Sequence, residues 1–118
     1  MLEKEKTIEV NRGDRKSIKL ISKKGNFEVG KHITFSIVEK KNYNNVIFQK
    51  TYTIFEDSNE FVFTLTKQDT TIGEIISKKV VYWYEIEYDG DQTIIGYDKN
   101  KGKEFILYPE APKKGSDN

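Results

Sequence analysis

The sequence predicts an all-β domain: an antiparallel, immunoglobulin-like β-sandwich of seven to eight strands. Three observations lead there. Ile, Val, Thr, Phe, Tyr and Trp supply 45 of 118 residues, whereas Ala, Leu and Met supply 6. Branched and aromatic side chains fit a pleated, half-buried surface, while Ala and Leu are strong helix formers. Period-two alternation of apolar and polar residues then recurs along the chain, interrupted by Gly, Asn and Asp. Finally, no amphipathic stretch of helical length alternates with these segments, so a parallel sheet is not expected. A small open barrel is the alternative that the same strands could build.

Each element has its own signal. Residues 7–10 form a short first strand, and Asn11-Arg12-Gly13-Asp14 forms a turn. Residues 16–21 follow, with Ile18 and Leu20 on one face, and then the polar turn Lys23-Lys24-Gly25-Asn26. In 31–40, Ile33, Phe35 and Ile37 alternate with Thr34, Ser36 and Val38. After Asn42-Tyr43-Asn44-Asn45, residues 46–55 place Val46, Phe48, Tyr52 and Ile54 on one face, with Gln49, Thr51 and Thr53 on the other. Lys50 interrupts the apolar stripe, and a bend or bulge near it would resolve the conflict. Residues 60–66 alternate Phe61, Phe63 and Leu65 with polar positions. The segment 67–79 breaks the pattern and predicts a short helix or 3₁₀ turn capped within Gln68-Asp69-Thr70-Thr71. Residues 80–88 are the strongest strand, with Val80, Tyr82, Tyr84, Ile86 and Tyr88 on one face and Val81, Trp83, Glu85 and Glu87 on the other. Asp89-Gly90 is a hairpin signal, because a mirror-image turn needs positive φ at both central residues. Residues 92–97 return as its partner, and 104–108 form the last strand, ended by Pro109, which cannot donate to a ladder. The expected organisation is an arm at 1–6, one sandwich at 7–108 and a flexible tail at 109–118.

Composition also restricts function. With no Cys, the chain has no disulfide framework, no Cys-ligated metal and no thiol nucleophile. Twenty basic against nineteen acidic side chains leave a net charge of +1, which exerts no general pull on nucleic acid or anionic lipid. The start of the chain has no apolar stretch of a secretory signal, and no run approaches the length of a membrane span. His32 is the single histidine, at a strand start where exposure is expected, and it leaves no His-rich metal site. Glu85 and Glu87 have the spacing of a carboxylate pair along a strand, but alternate Glu on a strand is ordinarily the solvated face of a half-buried sheet. Asp98 to Gly102, with Glu104 beyond, faintly echoes a calcium loop, although the spacing is wrong and its lysines would repel a cation. Arg12-Gly13-Asp14 spells an integrin-binding tripeptide and reads as a turn. The lysine pairs 23–24, 40–41, 78–79 and 113–114 are scattered over loops rather than gathered into a basic face. No catalytic residue, cofactor or metal is therefore assigned.

What remains is a candidate interaction surface: Trp83, Glu85 and Glu87 on one strand, with Tyr43 and Tyr97. Trp83 either packs between the sheets, the commoner outcome for such a residue, or lies exposed as a sugar platform or interface anchor.

The phrase Phe27-Glu28-Val29-Gly30-Lys31-His32-Ile33-Thr34-Phe35 resembles the opening of small phage β-sandwich domains. These are found at the N-terminus of baseplate upper proteins and in related prophage tail-region proteins of low-GC Gram-positive bacteria. Lys31-His32 stands where Asp-Thr is usual in them. Phe48-Gln49-Lys50-Thr51-Tyr52, Leu65-Thr66-Lys67-Gln68-Asp69-Thr70, the Tyr-rich strand and Phe105-Ile106-Leu107 are similar to later phrases of the family. Residues 74–79 form an insertion relative to it. The resemblance implies a non-enzymatic virion domain that docks on other tail or baseplate proteins, with a homo-oligomer as a further expectation and no nucleic-acid or membrane partner. It places the protein in the virion, or in the bacterial cytoplasm if it is not phage-derived. A carbohydrate- or cell-surface-binding module using exposed aromatics is the alternative.

Overall fold

The computed structural model describes residues 7–73, 77–90, 92–95 and 103–110. Eight strands follow one another: β1 (Ile8–Asn11), β2 (Lys16–Ile21), β3 (His32–Val38), β4 (Val46–Thr53), β5 (Glu60–Leu65), β6 (Val80–Tyr88), β7 (Gln92–Ile95) and β8 (Glu104–Tyr108). They build two sheets. The larger has six strands in the order β1-β8-β6-β3-β4, with β7 also paired to β6; the smaller is β2-β5. The all-β sandwich expected from alternation is thus the fold. It is lopsided, whereas an immunoglobulin domain divides its strands nearly evenly.

The strand faces follow the sequence closely. Alternate residues of β3 and β6 point into the core, where Ile33, Phe35, Ile37, Tyr84 and Ile86 are almost completely removed from solvent. Leu20, Phe63 and Leu65 of the small sheet cover them. Phe35 sits at the centre, with its ring centroid 5.4 Å from Phe63, 5.7 Å from Tyr84 and 6.2 Å from Phe105. Such tilted aromatic contacts add to the large area each ring buries. Asp89 and Gly90 adopt φ of 56° and 80°, the left-handed conformations the Asp-Gly hairpin requires.

The strand pairing and the place of the bulge depart from expectation. The pairing is not wholly antiparallel, because β1 runs parallel to β8 from Ile8↔Phe105 to Asn11↔Tyr108. Residues 11–15 carry the chain across the sandwich into β2 instead of folding it back, so β1 finds its partner at the far end of the sequence. The segment at 67–79 takes the turn form of the two expected for it, with no helix among its described residues. It makes one hydrogen-bonded turn, with Thr70 N–H donating to Thr66 C=O at 3.2 Å and Thr71 N–H to Gln68 C=O at 3.1 Å. The irregularity in β4 lies near Ile47, three residues from Lys50, and does not move Lys50 off the inner face: Ile37 pairs with Phe48 but Val38 with Val46. This extra residue turns Val46 to the opposite face from Phe48, where it is 49% exposed. Lys50 stays in register opposite Phe35, and its charge is answered by Asp69, Nζ to Oδ2 3.0 Å.

Segment 66–73 explains how so small a second sheet suffices. Thr70 is fully buried; its hydroxyl lies 2.8 Å from Asp14 C=O and accepts from Gly13 N–H at 3.1 Å. The Arg12 guanidinium donates to the carbonyls of Ile72 and Gly73. A methyl group at Gly73, whose φ is 78°, would strike the Tyr82 hydroxyl. The segment therefore lies directly on the core and extends the second layer over β6.

Candidate functional site

Alternation buries one side of the six-stranded sheet and so presents the other. Register places its outward residues in rows: Thr51, Thr34 and Glu87; Gln49, Ser36 and Glu85; Val46, Val38, Trp83 and Glu104. Gln49 Nε2 donates to Ser36 Oγ at 2.9 Å, and the Thr34 and Thr51 hydroxyls lie 3.0 Å apart. Ser36 and Val38 are buried although they belong to this face, flanked by the longer side chains of their rows.

Trp83 is on this outer face and half-buried, not between the sheets. Lys40, from the β3–β4 loop, holds Nζ 4.6 Å from the indole centroid and 2.8 Å from Glu104 Oε2. The cation thus bridges an aromatic face and a carboxylate, which orients the indole. Glu85 and Glu87 are half-buried beside it on the same strand face. Tyr43 is 51% exposed in the loop that carries Lys40. Tyr97 lies outside the described residues, as do Asp91 and the 98–102 part of the calcium-like loop. The structure therefore gathers Trp83, Glu85 and Glu87 on one face, with Tyr43 in the adjoining loop.

Other candidates settle elsewhere. His32 is exposed, with Nδ1 3.7 Å from Asp89 Oδ1, and Lys31 Nζ lies 3.4 Å from the other oxygen of that carboxylate. The hydrogen bond to Asp89, reinforced by its charge, raises the Lys31 ammonium above its ordinary pKa. Arg12-Gly13-Asp14 is a structural turn: its guanidinium is spent on the carbonyls of segment 66–73, and Gly13 has φ of 86°. Among the described residues, no group of three His, Cys, Asp or Glu side chains could hold a metal ion. A recess in the surface is lined by Arg15, Thr66, Lys67 and Gln68, at the end of the small sheet, in the other layer from Glu85 and Glu87.

On the inner face, the flank at β4 has its own electrostatics. Burial pushes the Asp69 carboxyl upward, but the Thr66 backbone N–H and the Lys50 ammonium outweigh it and hold the group below its ordinary pKa. Burial, with the Asp69 charge, pushes the Tyr52 phenol up to about 12. Tyr52 Oη donates to Thr64 C=O at 3.3 Å, tying β4 to the small sheet.

Two features escape a reading of the sequence by strands alone. One is Lys40 over Trp83, a contact between residues far apart in the chain. The other is Phe55, 83% exposed just beyond the end of β4, next to the buried Ile54.

Compared with known proteins, the chain matches no family model, no curated protein and no solved structure. Among the described residues, no helix is long and apolar enough to cross a membrane.

Proposed function

We propose that this chain is a non-enzymatic docking domain, a structural component of a phage or prophage tail or baseplate. In this reading the outer face of the six-stranded sheet meets a neighbouring tail protein. The observation that carries it is the half-buried Trp83, held by Lys40 and flanked by Glu85 and Glu87 on a regular sheet face. An oriented tryptophan bordered by polar groups has the composition of an interface anchor with its rim. The phage setting rests on the resemblance of Phe27 to Phe35 and the later phrases to tail-region sandwich domains. The implied place of action is the virion. Stacking of a sugar on Trp83 is the second reading, favoured by the half-exposed indole; Lys40 over one ring face weighs toward a protein partner.

The test is binding of the purified chain to the products of the neighbouring genes, measured by a surface biosensor. Trp83→Ala should weaken binding to one of them by about 30-fold, the scale of a hot-spot residue. Absence of binding to every neighbour would refute the tail reading, and a glycan-array signal lost in Trp83→Ala would install the sugar reading instead.

A further inference from the structure

The two ends of the small sheet are unlike. At the end where Ile21 pairs with Glu60, the preceding loop exposes Phe55 at 83%, and the adjoining loop exposes Val29 at 57%. Backbone bonds hold the two loops together: Gly30 N–H to Ile54 C=O and Ile54 N–H to Lys31 C=O, both 2.9 Å. Val29 N–H donates to Asp57 Oδ1 at 2.8 Å. The two loops that carry these apolar side chains are thus tied together through their backbones, and Phe55 stands out from them as a knob. Around it stand the exposed carboxylates Glu28, Glu56 and Asp57, with Lys31 already paired with Asp89 and Lys23 and Lys24 in the 22–27 loop alongside.

At the opposite end, where Lys16 pairs with Leu65, lies the recess lined by Arg15, Thr66, Lys67 and Gln68. Its walls are preformed. Thr66 N–H donates to Asp69 Oδ2 at 2.9 Å and Asp69 N–H to Thr66 Oγ1 at 3.1 Å, while Thr70 secures the turn to the 11–15 loop. Asp69 itself faces Lys50, and the two charged residues of the lining, Arg15 and Lys67, are both basic.

We propose that the knob of one chain seats in the recess of a second copy, Phe55 against the aliphatic stems of Arg15 and Lys67, with Glu56 and Asp57 meeting their charges. The two features are about 20 Å apart along a six-residue strand, so a knob cannot reach its own recess. The contact is heterologous, and repetition of it produces a closed ring or an open row of domains. It makes no use of Trp83, so it stands or falls separately from the outer-face reading.

Sedimentation velocity over a concentration series reaching about 1 mM tests it. The wild-type mass should rise with concentration and fall back when salt screens the charges. Arg15→Glu/Lys67→Glu makes both ends acidic, and Glu56→Lys/Asp57→Lys makes both basic; each variant alone should remain a monomer. An equimolar mixture of the two should associate again, because each acidic end then meets a basic one. Phe55→Ser should weaken wild-type association about tenfold, and it carries the test should a reversal variant lose its native circular dichroism spectrum. A wild type that stays monomeric throughout, an association indifferent to the reversals, or a mixture that does not recover would overturn the proposal.

Discussion

The two faces of β6 carry side chains of similar size to opposite ends. Tyr84 is 1% exposed, packed 5.7 Å from Phe35, while its neighbour Trp83 remains half-buried, with Lys40 over its ring. Both residues obey the same pleat. The difference is the layer opposite: β2, β5 and segment 66–73 lie over the inner face, and among the described residues no strand lies over the outer one. Aromatic content therefore does not decide where the core is; the second layer does. An inner-face residue is held by a second layer of strands, and an outer-face residue by its row and the adjoining loop.

That contrast can be broken most severely at its centre. Phe35→Ala removes a fully buried ring touching Phe48, Phe63, Tyr84 and Phe105 and should cost about 3–5 kcal/mol in chemical denaturation. That is a large share of the stability of a domain this size. Next come the contacts that hold segment 66–73 on the core. Gly73→Ala introduces a methyl against Tyr82 at a positive φ, and Thr70→Val leaves Gly13 N–H and Asp14 C=O without their hydroxyl. Each should cost about 1–3 kcal/mol by the same measurement.

The Lys50–Asp69 pair sharpens the comparison through pH. Asp69 titrates lower in the folded chain than in the unfolded one, so its contribution is present above the ordinary carboxylate range, about pH 4, and is lost as pH falls below it. Asp69→Asn should therefore be destabilised at neutral pH, and its gap from wild type should close in melts taken at progressively lower pH. The smallest effect belongs to the outer face. Glu85→Gln with Glu87→Gln should change stability by no more than about 0.5 kcal/mol, while altering the salt dependence of partner binding on the biosensor.

Much of the fold was legible because alternation is a local signal. The strands at 16–21 and 80–88 carry their buried faces in residues two apart, and no knowledge of the rest of the chain is needed to see them. The conflict at Lys50 was visible too, but its solution was not. The remedy expected was a bend or bulge near that position; the chain has a bulge at Ile47, but it leaves Lys50 in register and meets it with a carboxylate nineteen residues on. The same limit applies to the candidate site. Alternation placed Trp83, Glu85 and Glu87 on one face, yet whether that face was core or surface depended on where β2 and β5 lie.

By itself, then, the sequence determined the all-β class, the positions of the strands, the Asp-Gly hairpin and the residues each face would hold, since these follow from side-chain shape and from a period of two. Tertiary structure alone decided the six-against-two division, the parallel seat of β1 beside β8, the cover formed by 66–73, and the side of the sheet on which Trp83 lies. Those outcomes are choices of partner between residues up to about a hundred positions apart, such as Ile8 and Phe105. They depend on which pairing buries the most apolar surface with every backbone donor satisfied, a sum that no local stretch of sequence contains.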